Sequence, residues 1–155
     1  MRLVAEPLDG PGGSRLVPAV QQEYVVRYGG PDEAAIDPAE FLPPGGMFLV
    51  AYDGNEPVAC GGLRTIAPGI AELKRMYVVP HWRGRGLARR ILAELEASAA
   101  AAGASEVRME TGLAQPEAIA LYTSSGYERI PGYGHYADSE NNVCFAKPLR
   151  RAACA

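Results

Sequence analysis

A chain of 155 residues with 48% hydrophobic content has the size of one domain and enough apolar material for a single core, and its longest apolar runs, 47–51 and 97–102, fall far short of the ~20 residues of a membrane helix. Fifteen basic against eighteen acidic side chains give a net charge of −3, which supplies no general attraction for nucleic acid. Three cysteines without a close pair and two histidines, His81 and His135, support neither a disulfide framework nor a zinc site.

The first residues, 1–6, turn polar too soon for a secretory signal, so a cytoplasmic location is expected. Residues 2–5 read as an opening strand, and 15–28, with Leu16, Ala19, Val20 and Val25 at helical spacing, as a helix. Between 29 and 46, prolines, glycines and acidic residues interleave, the composition of a surface loop with short helical turns. Residues 47–52 form a strand, Asp53-Gly54-Asn55 a turn, and 57–66 the second strand of a hairpin in which Gly61 and Gly62 mark a bulge. A third strand over 71–79 places Leu73, Tyr77 and Val79 on one face and Glu72, Lys74, Met76 and Val78 on the other, and Pro80 ends it.

Residues 86–102 carry Leu87, Ile91, Leu92, Leu95 and Ala99 at helical spacing, with Gly103 as the C-terminal cap. A strand over 106–111 and a helix opened by Pro116 and stopped at Gly126 follow. Strands over 127–130 and 142–147, around a Gly/Tyr-rich loop, complete one domain over 1–150, with a flexible tail at 151–155.

The most informative segment joins the third strand to the amphipathic helix: Pro80-His81-Trp82-Arg83-Gly84-Arg85-Gly86. The first N–H groups of a helix lack internal partners and sit at the positive end of the macrodipole, so they bind anions. Gly84 and Gly86 let backbone approach such an anion closely, and Arg83, Arg85 and Arg89 add charge-assisted donors. The pattern is neither a Walker loop nor a dinucleotide-binding turn. Arg83-x-x-Gly86-x-Ala88 resembles the pyrophosphate-binding signature Gln/Arg-x-x-Gly-x-Gly/Ala of GNAT acetyltransferases. Glu110-Thr111-Gly112 ending a strand, then Ala118-Ile119-Ala120-Leu121-Tyr122 and Gly126-Tyr127, follow in that family's order, so the resemblance runs from about Phe48 to Leu149.

The resemblance implies an α/β (α+β) fold: a mixed, mostly antiparallel, bent sheet of six to seven strands, with helices on both faces and a splayed parallel strand pair. It implies an N-acetyltransferase using acetyl-CoA as co-substrate and no metal. Residues Arg83, Gly84, Arg85, Gly86, Leu87, Ala88 and Arg89 would take the pyrophosphate, and the main chain of Met76, Tyr77 and Val78 would take the pantetheine arm, with the N–H of Tyr77 or Val78 as oxyanion donor.

An alkyl amine of pKa ~10.4 is about one part in a thousand neutral at pH 7, so a base is required. Glu72, on the face it shares with Met76 and Val78, corresponds to the glutamate some family members use, and Glu110 is its substitute. Tyr122, with a phenol pKa of ~10, matches the tyrosine that protonates the leaving thiolate. Tyr133 and Tyr136, in the loop between the last strands, are candidate acceptor-binding residues, and Lys74 and Arg75 would favour an acceptor bearing a carboxylate, such as an amino acid-like metabolite. Gln115-Pro116 departs from the Asn that many members carry there. The expected partner is a small-molecule or peptide amine, with neither nucleic acid nor membrane, and a homodimer stays open. Two other readings remain: an idle acyl-CoA-binding module of the same fold, and a nucleotide-binding or structural α/β domain.

Overall fold

The computed structural model describes residues 1–34 and 36–149; the expected tail at 151–155 lies outside them. Ten main elements follow in the order β1 (Arg2–Ala5), α1 (Pro11–Tyr28), β2 (Gly46–Asp53), β3 (Glu56–Ala67), β4 (Ile70–Val78), α2 (Leu87–Ala101), β5 (Glu106–Gly112), α3 (Pro116–Ser124), β6 (Glu128–Ile130) and β7 (Asn142–Pro148). They build a seven-stranded sheet in the order β1-β2-β3-β4-β5-β7-β6. Every neighbouring pair is antiparallel except β4 and β5.

Helix α1 begins earlier than its apolar spacing suggests. Gly12 and Gly13 weaken the helix signal, but both are buried in its first turn, where a side chain on Gly12 would strike Val50 and Tyr52. Gly29, in the left-handed region, ends the helix by bonding Val25 O. The 29–46 segment is not simply a surface loop: a short 3-10 turn, Pro38–Phe41, capped reciprocally by Asp37 and Glu40, drives Phe41 into full burial.

The apolar stripe of α2, Leu87, Ile91, Leu92, Leu95 and Ala99, packs on one face of the sheet with Tyr122 of α3. On the other face Leu16 of α1 and Phe41 pack on Phe48, Val50, Tyr52 and Cys60. Helices thus cover both faces, and among the described residues no helix is long and apolar enough to cross a membrane.

Two irregularities of β4 shape the molecule. Its register against β3 jumps from Cys60↔Tyr77 to Gly62↔Lys74, so Gly61 opposes both Arg75 and Met76. The extra residue, Arg75, takes φ 58°, a left-handed conformation costing a non-glycine residue about 1–2 kcal/mol. Bonds hold it there: the Cys60 thiol, pushed up to about 12 by burial and therefore protonated, donates to Arg75 O at 3.2 Å, and the Arg75 guanidinium meets Asp32 at 2.6 Å.

The bulge inverts the alternation of everything after it. Ala71, Leu73, Met76 and Val78 pack on the α2 side, whereas Glu72, Lys74 and Tyr77 lie on the α1 side. The expected sharing of one face by Glu72, Met76 and Val78 is therefore corrected. The extra residue sits on β4, opposite the glycines that signalled it.

Gly61 is required by that bulge, since a Cβ there would run into Met76 Sδ and lie 2.9 Å from Ile91 Cγ2. Gly61→Ala is expected to cost about 1–3 kcal/mol in urea unfolding, the usual penalty of overpacking; an unchanged midpoint would contradict the tight packing.

The second irregularity is divergence. β4 and β5 pair only from Ile70↔Glu106 to Glu72↔Arg108, while β5 stays with β7 along its whole length. Beyond Glu72 the two parallel strands part.

Candidate active site

Where β4 and β5 separate, a cleft of about 730 Å³ opens between them. Lys74 to Val78 line one wall and Met109 to Gly112 the other; Tyr24 and Tyr28 of α1, the 29–33 loop, the start of α2 and Tyr122 of α3 close it.

At one end lies the glycine-arginine turn. Gly84 (φ 77°) and Gly86 (φ 81°) are left-handed, and the space where each would carry a side chain is open. Gly86 O accepts the first helical bond of α2, from Arg90 N. The N–H groups from Gly84 to Arg89 meet no acceptor among the described residues, no side chain caps the helix, and no acidic residue occupies its first turn. Unanswered donors of this kind, at the positive end of a dipole, form an anion-binding concavity.

The arginines around it are otherwise engaged. Arg83 donates through Nε to Val78 O (2.9 Å) and through Nη2 to both oxygens of Glu23 (3.0 and 3.1 Å). Arg89 holds the hydroxyls of Ser125 and Ser124 at the end of α3. Arg85 lies over Trp82, 4.4 Å from the ring centre, and does not line the cleft. The Leu87 side chain belongs to the core, so this residue offers only its N–H.

Along β4, the Val79 N–H bonds to Val58 O of β3. Strand alternation then turns the N–H and C=O of Val78 the other way, into the gap, consistent with the Arg83 bond to Val78 O. Gln115 stands on the opposite wall, its Oε1 accepting from Tyr28 and Thr111.

Charged groups crowd the other end. Lys74 Nζ lies 3.2 Å from Glu110 Oε1 and 3.6 Å from Asp32 Oδ2, which also receives Arg75. Glu110 Oε2 is buried without a partner. Burial holds the Glu110 carboxyl above its ordinary value, helped by the charges of Glu72 and Asp32 and opposed by Lys74. Asp32 is held at about 2: although burial pulls it up, Lys74 and the hydrogen bond from Arg75 pull it further down.

The sequence-derived residues divide between two places. Glu72 is buried on the α1 side of the sheet, gripped by Arg64 through Nε (3.1 Å) and Nη2 (3.0 Å), and does not line the cleft. Tyr133 stands beside it, away from the cleft wall; burial and the nearby Glu72 carboxylate push its phenol up. Tyr136 does line the cleft, its hydroxyl accepting from Glu33 N at 2.6 Å. Tyr122 lines it too, packed edge-on to Tyr127 and against Phe145. Burial, with Tyr24 nearby, pushes the Tyr122 phenol up, so it keeps its proton.

Sequence reasoning missed Asp32, Glu23, Tyr24 and Tyr28, all on cleft walls. One signal was available: Lys74 and Arg75 in a strand of a buried sheet demand carboxylate partners. Nothing local says that one would come from residue 32.

Comparison with known proteins agrees with this architecture. The model of the acetyltransferase (GNAT) family matches residues 15–127. An IAA acetyltransferase of Azospirillum brasilense is 38% identical over 103 residues, which is 66% of this chain and 67% of that one. A solved structure from Klebsiella pneumoniae, assigned as an acyl-CoA N-acyltransferase, superposes with a TM-score of 0.79 at 29% identity, covering 96% of this chain and 97% of the other. The PaiA N-acetyltransferase of Thermoplasma acidophilum, solved with coenzyme A, shares the fold at a TM-score of 0.60 and 20% identity, over 68% of this chain and 62% of its own.

Proposed function

This chain belongs to the acetyltransferase (GNAT) family and is an acyltransferase, and we propose that it carries an acetyl group from acetyl-CoA to a primary amine of a small molecule, by direct attack in a ternary complex. The observation that carries the reading is the row of unanswered N–H groups from Gly84 to Arg89, at one end of the cleft that Glu110 and Tyr122 also line. The N–H row fits a diphosphate, and the free edge of β4 fits an extended amide-bearing arm. Bound acetyl-CoA supplies an activated thioester.

The remaining chemistry belongs to side chains and backbone. Residues Gly84 to Arg89 hold the diphosphate through main-chain donors, and Met76, Tyr77 and Val78 line the arm's path. Between the two expected oxyanion donors, alternation selects the Val78 N–H, since that of Tyr77 turns toward β3. Glu110 takes the amine proton, because it lines the cleft and keeps one oxygen without a partner, whereas Glu72 is bound to Arg64 outside it. Tyr122 keeps a proton for the leaving sulfur.

Tyr136 shapes the acceptor end. Lys74 and Arg75 face the acceptor as well, but their charges are answered by Asp32 and Glu110, so a small amino acid-like acceptor is recognised chiefly through its amine.

Two measurements test this. At a hundredfold excess over its Kd, acetyl-CoA is expected to raise the melting temperature by roughly 5–10 °C, and a panel of primary amines should then release free thiol. Gly86→Val, placing a branched side chain where backbone meets the anion, is expected to abolish most of that shift. A wild-type protein that neither shifts nor releases thiol with any amine would overturn the assignment.

A further inference from the structure

We propose that Asp32 is a positioning residue for the reaction: by holding Lys74 and Arg75 it restrains Lys74 from fully capturing Glu110, and so sets the pH range in which that carboxylate accepts a proton. The inference rests on the reading of Glu110 as the base.

The geometry is that of a shared cation. Lys74 Nζ stands between Glu110 (3.2 Å) and Asp32 (3.6 Å), and Asp32 in turn binds Arg75 at 2.6 Å. Asp32 comes from neither strand of the cleft. Its backbone is bracketed by the Gln21 amide, which accepts from Asp32 N at 2.8 Å and donates to Asp32 O at 3.3 Å, and its Oδ1 receives Ala34 N at 2.9 Å. A carboxylate fixed by α1 thus anchors two cations that project from β4. The 29–33 loop is tied across the cleft by the bond from Glu33 N to Tyr136, so the anchor is braced from both sides.

The groups facing Glu110 determine the sign. From β4 come Lys74 and Glu72, from the 29–33 loop Asp32, from the loop before β7 Tyr133, and from β7 itself Cys144, its partner in register. Lys74 is the cation in contact, and it favours the carboxylate; Asp32 offsets that field. Without Asp32, Arg75 loses the carboxylate it binds and Lys74 its second counter-charge, and Glu110 is left as the one carboxylate paired with Lys74 among the described residues. Its proton affinity falls, which makes it a weaker base at every pH above the transition. Removing Lys74 does the opposite.

The test is the pH profile of kcat/KM for wild type and four variants, with far-UV circular dichroism and the acetyl-CoA KM as controls of folding. Asp32→Asn is expected to move the acid limb about one pH unit down and to lower the plateau several-fold, and Lys74→Met to move the limb about one unit up. Gln21→Ala, which frees the anchor while keeping every charge, should move it down by less. Glu110→Gln should remove that limb altogether. If the limb survives in Glu110→Gln, the base assignment is wrong. If it vanishes there but stays in place in folded Asp32→Asn, the role of Asp32 is refuted. Should Asp32→Asn fail to fold, an unmoved limb in Lys74→Met overturns the proposal equally.

Discussion

Glu110→Gln is expected to lower kcat by about 10²–10³-fold, with little change in acetyl-CoA affinity. A positioned base contributes about 10²–10⁴, and at neutral pH an alkyl amine is almost wholly protonated, so the acceptor depends on a group that removes its proton inside the cleft. Glutamine preserves the shape and an acceptor oxygen for Lys74, but cannot take a proton. The pH dependence has a definite sign. A base at Glu110 must work as the carboxylate, whose proton affinity is raised by burial, so activity in wild type should fall on acidification at a pH above the ordinary glutamate value of ~4.3. Glu72→Gln is the paired measurement. It breaks a buried ion pair with Arg64 and should lower the melting temperature while leaving kcat within about threefold, since the group touches no reacting atom. If Glu72→Gln produced the large kinetic loss and Glu110→Gln did not, the roles would be reversed.

The different places of the two glutamates show what a sequence can and cannot convey. Helix α2 was legible because Leu87, Ile91, Leu92, Leu95 and Ala99 repeat with helical period, and the unanswered N–H row was legible because two glycines precede that stripe. The strands were readable from their alternation and turn residues, and the parallel pair from the family resemblance alone. The face of Glu72 was not. Alternation counts residues, and one extra residue at Arg75 changes the parity of every position beyond it. Gly61 and Gly62 announced a bulge but not which strand carries the added residue. Helix α1 began four residues before the expected start because its first turn contains glycines held by close approach, Gly12 to β2 and Gly13 to the backbone of Leu8, rather than by helix propensity. The Asp32–Lys74–Glu110 arrangement joins three segments distant in sequence, and no periodicity encodes such a meeting.

Tyr122→Phe should lower kcat about a hundredfold, toward the small end of what proton donation contributes. The reason for the small end lies in the burial of the phenol. Desolvation raises its proton affinity, so it remains protonated over the whole working range, but a phenol held above ~10 is a reluctant donor to a thiol of pKa ~8.5. In the proposed role its main effect is then a hydrogen bond that strengthens as negative charge gathers on the sulfur, with the proton following late. Phenylalanine retains the edge-on contact with Tyr127 and the packing on Phe145, so stability should change little and acetyl-CoA affinity should hold. A decisive control is Tyr24→Phe. That phenol lines the same cleft, and burial raises it also, but it belongs to α1. If Tyr24→Phe caused the loss and Tyr122→Phe left turnover intact, the leaving sulfur would be served from α1 instead of α3. A loss with Tyr122→Phe that is larger for poor thiol leaving groups than for good ones, in acyl donors of graded thiol pKa, would identify the step as protonation of sulfur. Equal losses across the series would assign the Tyr122 hydroxyl to a step other than departure of the sulfur.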